Sequence, residues 1–103
     1  MELTHTRIMD VYTADSFLYD WDHTPARARK TLDRYLKIIS HTGHLPSGMR
    51  AHKAFDEGDL WIGYINNSAP GWRVLFTINN RKEMVLEHLI THAEMDTKLK
   101  EYQ

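Results

Sequence analysis

Seven histidines in 103 residues, set among 13 lysines and arginines, are the most chemically suggestive feature of this sequence. Imidazole exchanges its proton near neutrality, so histidines form a natural pool of general acids and bases. His52 stands in the run Arg50-Ala51-His52-Lys53, and His92 in Thr91-His92-Ala93-Glu94. Arg73 follows Trp72 at the head of an apolar run, where strand alternation sets it on the opposite face from Val74 and Phe76. Cleavage of RNA without a metal asks for three roles. A base takes the 2′-hydroxyl proton, a cation holds the crowded phosphate, and an acid protonates the leaving 5′-oxygen. Histidine suits the first and third, and the planar arginine fork suits the second. Each residue also has an ordinary structural reading. A histidine often sits at a core edge or on the surface, and Arg73 beside Trp72 could make a cation–π or ion-pair contact on an exposed sheet face. By strand spacing, Trp61, Tyr64, Trp72 and Phe76 read as core residues.

The chain has no cysteine, which excludes disulfide frameworks, thiol nucleophiles and zinc–thiolate clusters. His41/His44 and His88/His92 are pairs outside any metal-ligand frame, so no metal and no cofactor is expected. No apolar run approaches the ~20 residues of a membrane span and no signal peptide is evident, so a single cytoplasmic domain spanning 1–103 is expected.

Charge is segregated along the chain although the net value is only −1. Residues 1–23 hold five acids against Arg7, whereas residues 24–53 hold Arg27, Arg29, Lys30, Arg34, Lys37, Arg50 and Lys53 against Asp33 alone. A cationic block of this kind meets a polyanion such as RNA, or it folds as a solvated face against the acidic N-terminal stretch. Charge alone favours the second.

Positioning of these residues falls to a small set of elements. Ala28, Leu32, Tyr35, Leu36 and Ile39 recur at helical spacing, with Thr24 as the expected N-cap, Pro25 in the first turn and Gly43 as the C-cap. Arg27, Lys30, Arg34 and Lys37 fall off that apolar stripe. A shorter helix is expected over Ala14–Trp21, a strand over Leu3–Tyr12, and a loop over Leu45–Asp59. The period then changes to two. Strands are expected at Leu60–Ile65, Trp72–Ile78 and Met84–Ile90, joined by turns at 66–71 and at Asn79-Asn80, with a charged helix over Glu94–Tyr102. This order predicts an α+β fold in which two N-terminal helices pack on a mostly antiparallel sheet.

The run Gly71-Trp72-Arg73-Val74-Leu75-Phe76 and the run Val85-Leu86-Glu87-His88-Leu89-Ile90-Thr91-His92 together resemble the RelE/ParE superfamily of bacterial toxins. The Thr91-His92-Ala93 ending, and Leu45-Pro46 followed by His52, Gly58 and Trp61, are most similar to its YafQ branch. The resemblance covers roughly residues 45–95. It implies a metal-independent endoribonuclease that cuts mRNA on the ribosome and is held inactive by a cognate antitoxin. Carried over by position, His92 would be the general acid, Arg73 the phosphate-stabilising cation, and His52 a base or phosphate-positioning residue. Arg50 and Lys53 would contact the RNA backbone, with the cations of the long helix, Arg27, Lys30, Arg34 and Lys37, as further RNA contacts. The chain departs from the branch at Gly71, where an acidic residue is usual, and at Asp96, where an aromatic is usual. A turn histidine is also replaced by Asn66-Asn67-Ser68. Those departures keep a second function class open, a non-catalytic module of the same fold that acts through a protein partner. A histidine-based metal regulator is a third.

Overall fold

The computed structural model describes residues 7–66 and 70–103. In chain order these form β1 (Asp10–Thr13), α1 (Asp15–Asp22), α2 (Ala26–Thr42), a single 3-10 turn (Ser47–Met49), β2 (His52–Lys53), β3 (Leu60–Tyr64), β4 (Trp72–Ile78), β5 (Glu83–Thr91) and α3 (His92–Lys100). One five-stranded sheet has the order β1-β5-β4-β3-β2, parallel between β1 and β5 and antiparallel elsewhere. The fold is thus α+β, three helices on a mostly antiparallel sheet. No helix among the described residues is long and apolar enough to cross a membrane.

Helix α2 follows its sequence pattern. Ala28, Leu32 and Ile39 are buried against the sheet, and Arg27, Lys30, Arg34 and Lys37 are exposed on the outer side. Gly43 closes it in the left-handed conformation at φ +78°, returning its N–H to the Ile39 carbonyl. The N-terminus differs from expectation. Pro25 occupies the cap, and Thr24 instead donates its hydroxyl to the Asp20 carbonyl at 2.6 Å, closing the turn between α1 and α2.

The expected strand over Leu3–Tyr12 is seen as Asp10–Thr13, and residues 1–6 lie outside the described part. Its weak alternation has a physical reason, because β1 is an edge strand with mostly exposed side chains. Its pairing stops at Thr13 opposite Leu86, and α1 then continues along the edge of β5. Ser16 donates to the Glu87 carbonyl at 2.6 Å, while the Asp20 carboxylate accepts from the Leu89 N–H at 3.0 Å. Side chains of a helix thus satisfy main-chain groups of β5 that a longer β1 would otherwise claim.

Two apolar clusters lie on the two sides of the sheet. The larger joins Phe17, Ala28, Leu32 and Ile39 of the helices to Val74, Phe76, Met84, Leu86 and Leu89. The smaller joins Leu60, Ile62, Leu75 and Ile90 to Met95 and Leu99 of α3 and to Phe55. Leu86 and Leu89 both enter the larger cluster although they are three residues apart, which strict alternation forbids. A β-bulge resolves this. Opposite β4 the partners step from His88 at Leu75 to Leu86 at Phe76, so Glu87 is passed over and the face is switched.

The expected loop over 45–59 contains two short elements, the 3-10 turn and β2. Met49 is fully buried in the larger cluster, and the following residue, Arg50, takes a left-handed φ of +48°. That pairing lets the chain pass from one side of the sheet to the other at the β3 edge. Asn79 organises the turn before β5, its side-chain oxygen accepting from the N–H groups of Arg81 and Glu83 at 2.8 and 3.1 Å. The turn expected at 66–71 joins β3 to β4, and its residues 67–69 lie outside the described part.

Candidate functional site

Strand register decides which chemically capable residues share a face. His52 is opposite Ile62, Tyr64 is opposite Arg73, and Arg73 is opposite Ile90. All of these belong to the side that carries α3 and the smaller cluster. The centre of the arrangement is the ring of Tyr64. The Arg73 guanidinium carbon lies 3.9 Å from its centroid and that of Arg50 lies 5.1 Å from it, while the His52 ring is tilted at 6.0 Å. Tyr64 is therefore no core residue, against the sequence reading, although Phe76 is fully buried and Trp61 and Trp72 are half-buried against the larger cluster.

Arg73 departs from its structural expectation too. It is only 6% exposed, and its ring partner is Tyr64 rather than the adjacent Trp72. Its Nη1 donates to the main-chain carbonyls of Asn66 and Trp72 at 2.9 and 3.0 Å, which fixes the plane of the fork. Its Nε is buried without a hydrogen-bond partner. A buried, unsatisfied cationic donor is costly, and Arg29 Nε on α2 carries the same cost. Among the described residues, no carboxylate forms an ion pair with Arg50, Arg73 or His52. Gly71 contributes to this openness. A Cβ there would stand 3.0 Å from Arg73 Nη1, so the absent side chain leaves the space beside the guanidinium clear.

His92 is the first residue of α3 and is exposed. Its N–H donates to the Gly71 carbonyl at 2.7 Å, which sets it beside the head of β4. The preceding Thr91 caps α3 through a reciprocal box with Glu94, in which the Thr91 hydroxyl accepts from the Glu94 N–H and the Glu94 carboxylate accepts from the Thr91 N–H. That box fixes the main chain from which the imidazole projects. His52 lies in edge strand β2 rather than in a loop, with its Nδ1 3.2 Å from the Arg50 carbonyl. Adjacent strands are about 4.8 Å apart, so β2 and β5 are separated by roughly 14 Å with Tyr64 and Arg73 between them. His52 thus lies against the Tyr64 ring, and the main chain of His92 meets that of Gly71, two residues before Arg73.

The remaining expected RNA contacts divide into two groups. Arg50 belongs to the cluster, whereas Lys53 is exposed on β2 opposite Trp61, which puts it on the other face of the sheet from His52 and Arg73. Arg27, Lys30, Arg34 and Lys37 belong to the outer surface of α2, across the sheet from Arg73, where Lys37 pairs with Asp33 at 3.1 Å. A separate polar cluster sits on the α3 side. His88 Nδ1 lies 3.0 Å from the Asp20 carboxylate, and the His88 ring meets Tyr102 edge-on. The Tyr102 phenol is pushed above its ordinary value of 10.0, by burial foremost and then by the charges of Glu87, Glu101 and Asp20. Among the described residues, no group of three or more histidine, aspartate or glutamate side chains is arranged to hold a metal ion.

Sequence reasoning missed Tyr64 as a site residue. Its signal is present in hindsight, since the hairpin that pairs Leu60–Tyr64 with Trp72–Ile78 puts Tyr64 directly opposite Arg73.

No protein-family model and no curated protein matches the sequence. Solved structures do match in three dimensions. A chain of the RelB–RelE antitoxin–toxin complex from Methanococcus jannaschii aligns with a TM-score of 0.69 at 12% identity, over 82% of this chain and 94% of that one. A chain of the intact E. coli RelBE toxin–antitoxin complex aligns at 0.54 and 13% identity with the same coverage. A substituted E. coli toxin RelE in the free state aligns at 0.58 and 14% identity, over 89% of this chain and 88% of that one. The chain has the RelE-like fold.

Proposed function

We propose that this RelE-like chain is the toxin of a toxin–antitoxin system and acts as a metal-independent endoribonuclease on mRNA at the ribosome. One observation carries the reading. Arg50 and Arg73 converge on the Tyr64 ring with no carboxylate among the described residues to balance them, and the His52 ring lies beside them. A phosphodiester is the anion that suits such a site, because its charge completes the cluster and its two sides need a base and an acid. In this reading His52 withdraws the 2′-hydroxyl proton or orients the phosphate. Arg73 and Arg50 stabilise the charge that develops on the phosphate oxygens. His92 protonates the departing 5′-oxygen. Attack by the 2′-oxygen forms a new P–O bond as the P–O5′ bond breaks, leaving a 2′,3′-cyclic phosphate and a free 5′-hydroxyl. No cofactor is required.

Lys53, on the opposite face of β2 from His52, and the α2 cations Arg27, Lys30, Arg34 and Lys37 meet further phosphates away from the cut or, in the inhibited state, an acidic cognate antitoxin. Two of the structural neighbours are antitoxin–toxin complexes, which supports a partner of that kind. The 103 residues act as one cytoplasmic domain.

A second reading is favoured by the burial of Arg73 and by the use of its Nη1 on two carbonyls, which also suit a purely structural arginine. In that case the fold is a non-catalytic module that works through a protein partner.

The readings separate on product chemistry. Reporter mRNA translated with purified protein is expected to yield 3′ ends bearing a 2′,3′-cyclic phosphate, and a 2′-deoxy nucleotide at the cut position is expected to block the cut. Co-expression of the product of the adjacent gene is expected to suppress it. Intact mRNA from a folded protein that captures one protein partner would select the second reading.

A further inference from the structure

Two guanidinium groups stacked near one phenol ring raise the question of what keeps them there. Each carries a full positive charge, and with ring distances of 3.9 and 5.1 Å their centres are at most about 9 Å apart. Like charges so close repel, and no carboxylate among the described residues offsets the repulsion. The negative face of the aromatic ring is the compensation that the structure does show. Arg73 is held on one side by the Asn66 and Trp72 carbonyls, whereas Arg50 is exposed, at a left-handed turn, and its stack on Tyr64 is its described side-chain contact. The ring itself is fixed by its place at the end of β3, opposite Arg73.

We infer that Tyr64 is a positioning residue. Its ring clamps Arg50 and Arg73 so that both serve one phosphate group, and the clear flank of the Arg73 fork beside Gly71 marks the side from which that group is held. The assignment deepens the RNA-cleaving reading and rests on it for the identity of the phosphate as part of an RNA backbone. The ring, and not the hydroxyl, does this work. Tyr64→Phe therefore keeps the clamp and Tyr64→Leu removes it, while both fill the space at the end of β3.

The test compares wild type, Tyr64→Phe and Tyr64→Leu in three measurements, after thermal melts establish that each is folded. Ring-current displacement of the Arg73 Nε–H resonance in ¹⁵N spectra reports the stack directly. Binding of a short single-stranded RNA with 2′-O-methyl groups, which cannot be cut, reports capture of the backbone. Cleavage of translated reporter mRNA reports the reaction. Tyr64→Phe is expected to match wild type in all three. Tyr64→Leu is expected to lose the displacement, to bind the 2′-O-methyl RNA about tenfold more weakly, and to cut correspondingly less. A folded Tyr64→Leu protein with an unmoved Arg73 signal and unchanged RNA affinity overturns the assignment. So does a Tyr64→Phe protein as impaired as Tyr64→Leu, since the hydroxyl would then be the working group. Wild type that neither binds nor cuts RNA, while keeping the displaced resonance, would refute the RNA reading and with it the phosphate role. The clamp itself would then survive as a structural contact.

Discussion

The two sides of the sheet have been given different work. Toward α1 and α2 lies a continuous apolar core in which Leu32, Met49, Val74, Phe76, Met84 and Leu86 have no exposed surface. Toward α3 lies a smaller cluster of four buried residues, and beyond its edge the side chains turn cationic and aromatic. A 103-residue domain without disulfides has little stability to spare, so it concentrates burial on one side. The other side then accommodates a 6%-exposed arginine among its strand side chains. Strand alternation makes this division possible within one strand. Val74 and Phe76 serve the core while Arg73 serves the site.

Substitutions on the two sides are expected to separate stability from activity. Phe76→Ala is expected to have the largest effect, a loss of about 3–5 kcal/mol of folding free energy. That is enough to unfold much of the protein, and chemical denaturation checks it. His92→Ala is expected to leave the melt close to wild type while lowering cleavage by about 100-fold or more, the usual contribution of a positioned acid. Arg73→Lys comes next. It keeps the charge but loses the planar fork that bonds two carbonyls, so cleavage should fall more than stability, as parallel melts and cleavage assays would show.

Gly71→Asp sharpens the comparison from the other direction. It places a carboxylate on a Cβ that would stand 3.0 Å from Arg73 Nη1, giving the guanidinium an internal partner once the fork shifts by a few tenths of an ångström. Binding of uncleavable RNA is expected to weaken about tenfold, with stability held or improved. Unchanged RNA affinity would mean that the empty flank of Arg73 has no bearing on the anion.

The smallest expected effect lies at high pH. The Tyr102 phenol has its folded pKa raised above 10.0, so the folded state resists ionisation that the unfolded chain accepts. Its contribution is complete below the unfolded value and is lost as pH rises through the folded one. Stability should decline above about pH 10, and Tyr102→Phe should flatten that decline in urea melts.

Much of the large core was legible in the sequence, because α2 and β4 each carry an unbroken period. Ala28, Leu32 and Ile39 mark one face of a helix, and Val74 and Phe76 mark one face of a strand. The site was legible only as residue types. His52, Arg73 and His92 could be named from local sequence, but the meeting of His52 and Arg73 at Tyr64 depends on the pairing of β2 with β3 and β3 with β4. Tyr64 was misread because an aromatic at strand spacing looks like core until the opposite residue is known to be an arginine. Thr24 was misread because a hydroxyl before Pro25 fits a cap equally well, and only the tertiary turn gives it the Asp20 carbonyl instead. Two-residue β2 carries too little pattern to be seen at all.

The most direct test of the central claim is primer extension across a translated reporter mRNA after induction of wild type or His92→Ala. Discrete cuts with wild type, absent with a folded His92→Ala protein, are the expected result. Intact mRNA in both strains, or identical cuts in both, would contradict the assignment of RNA cleavage to this face of the sheet.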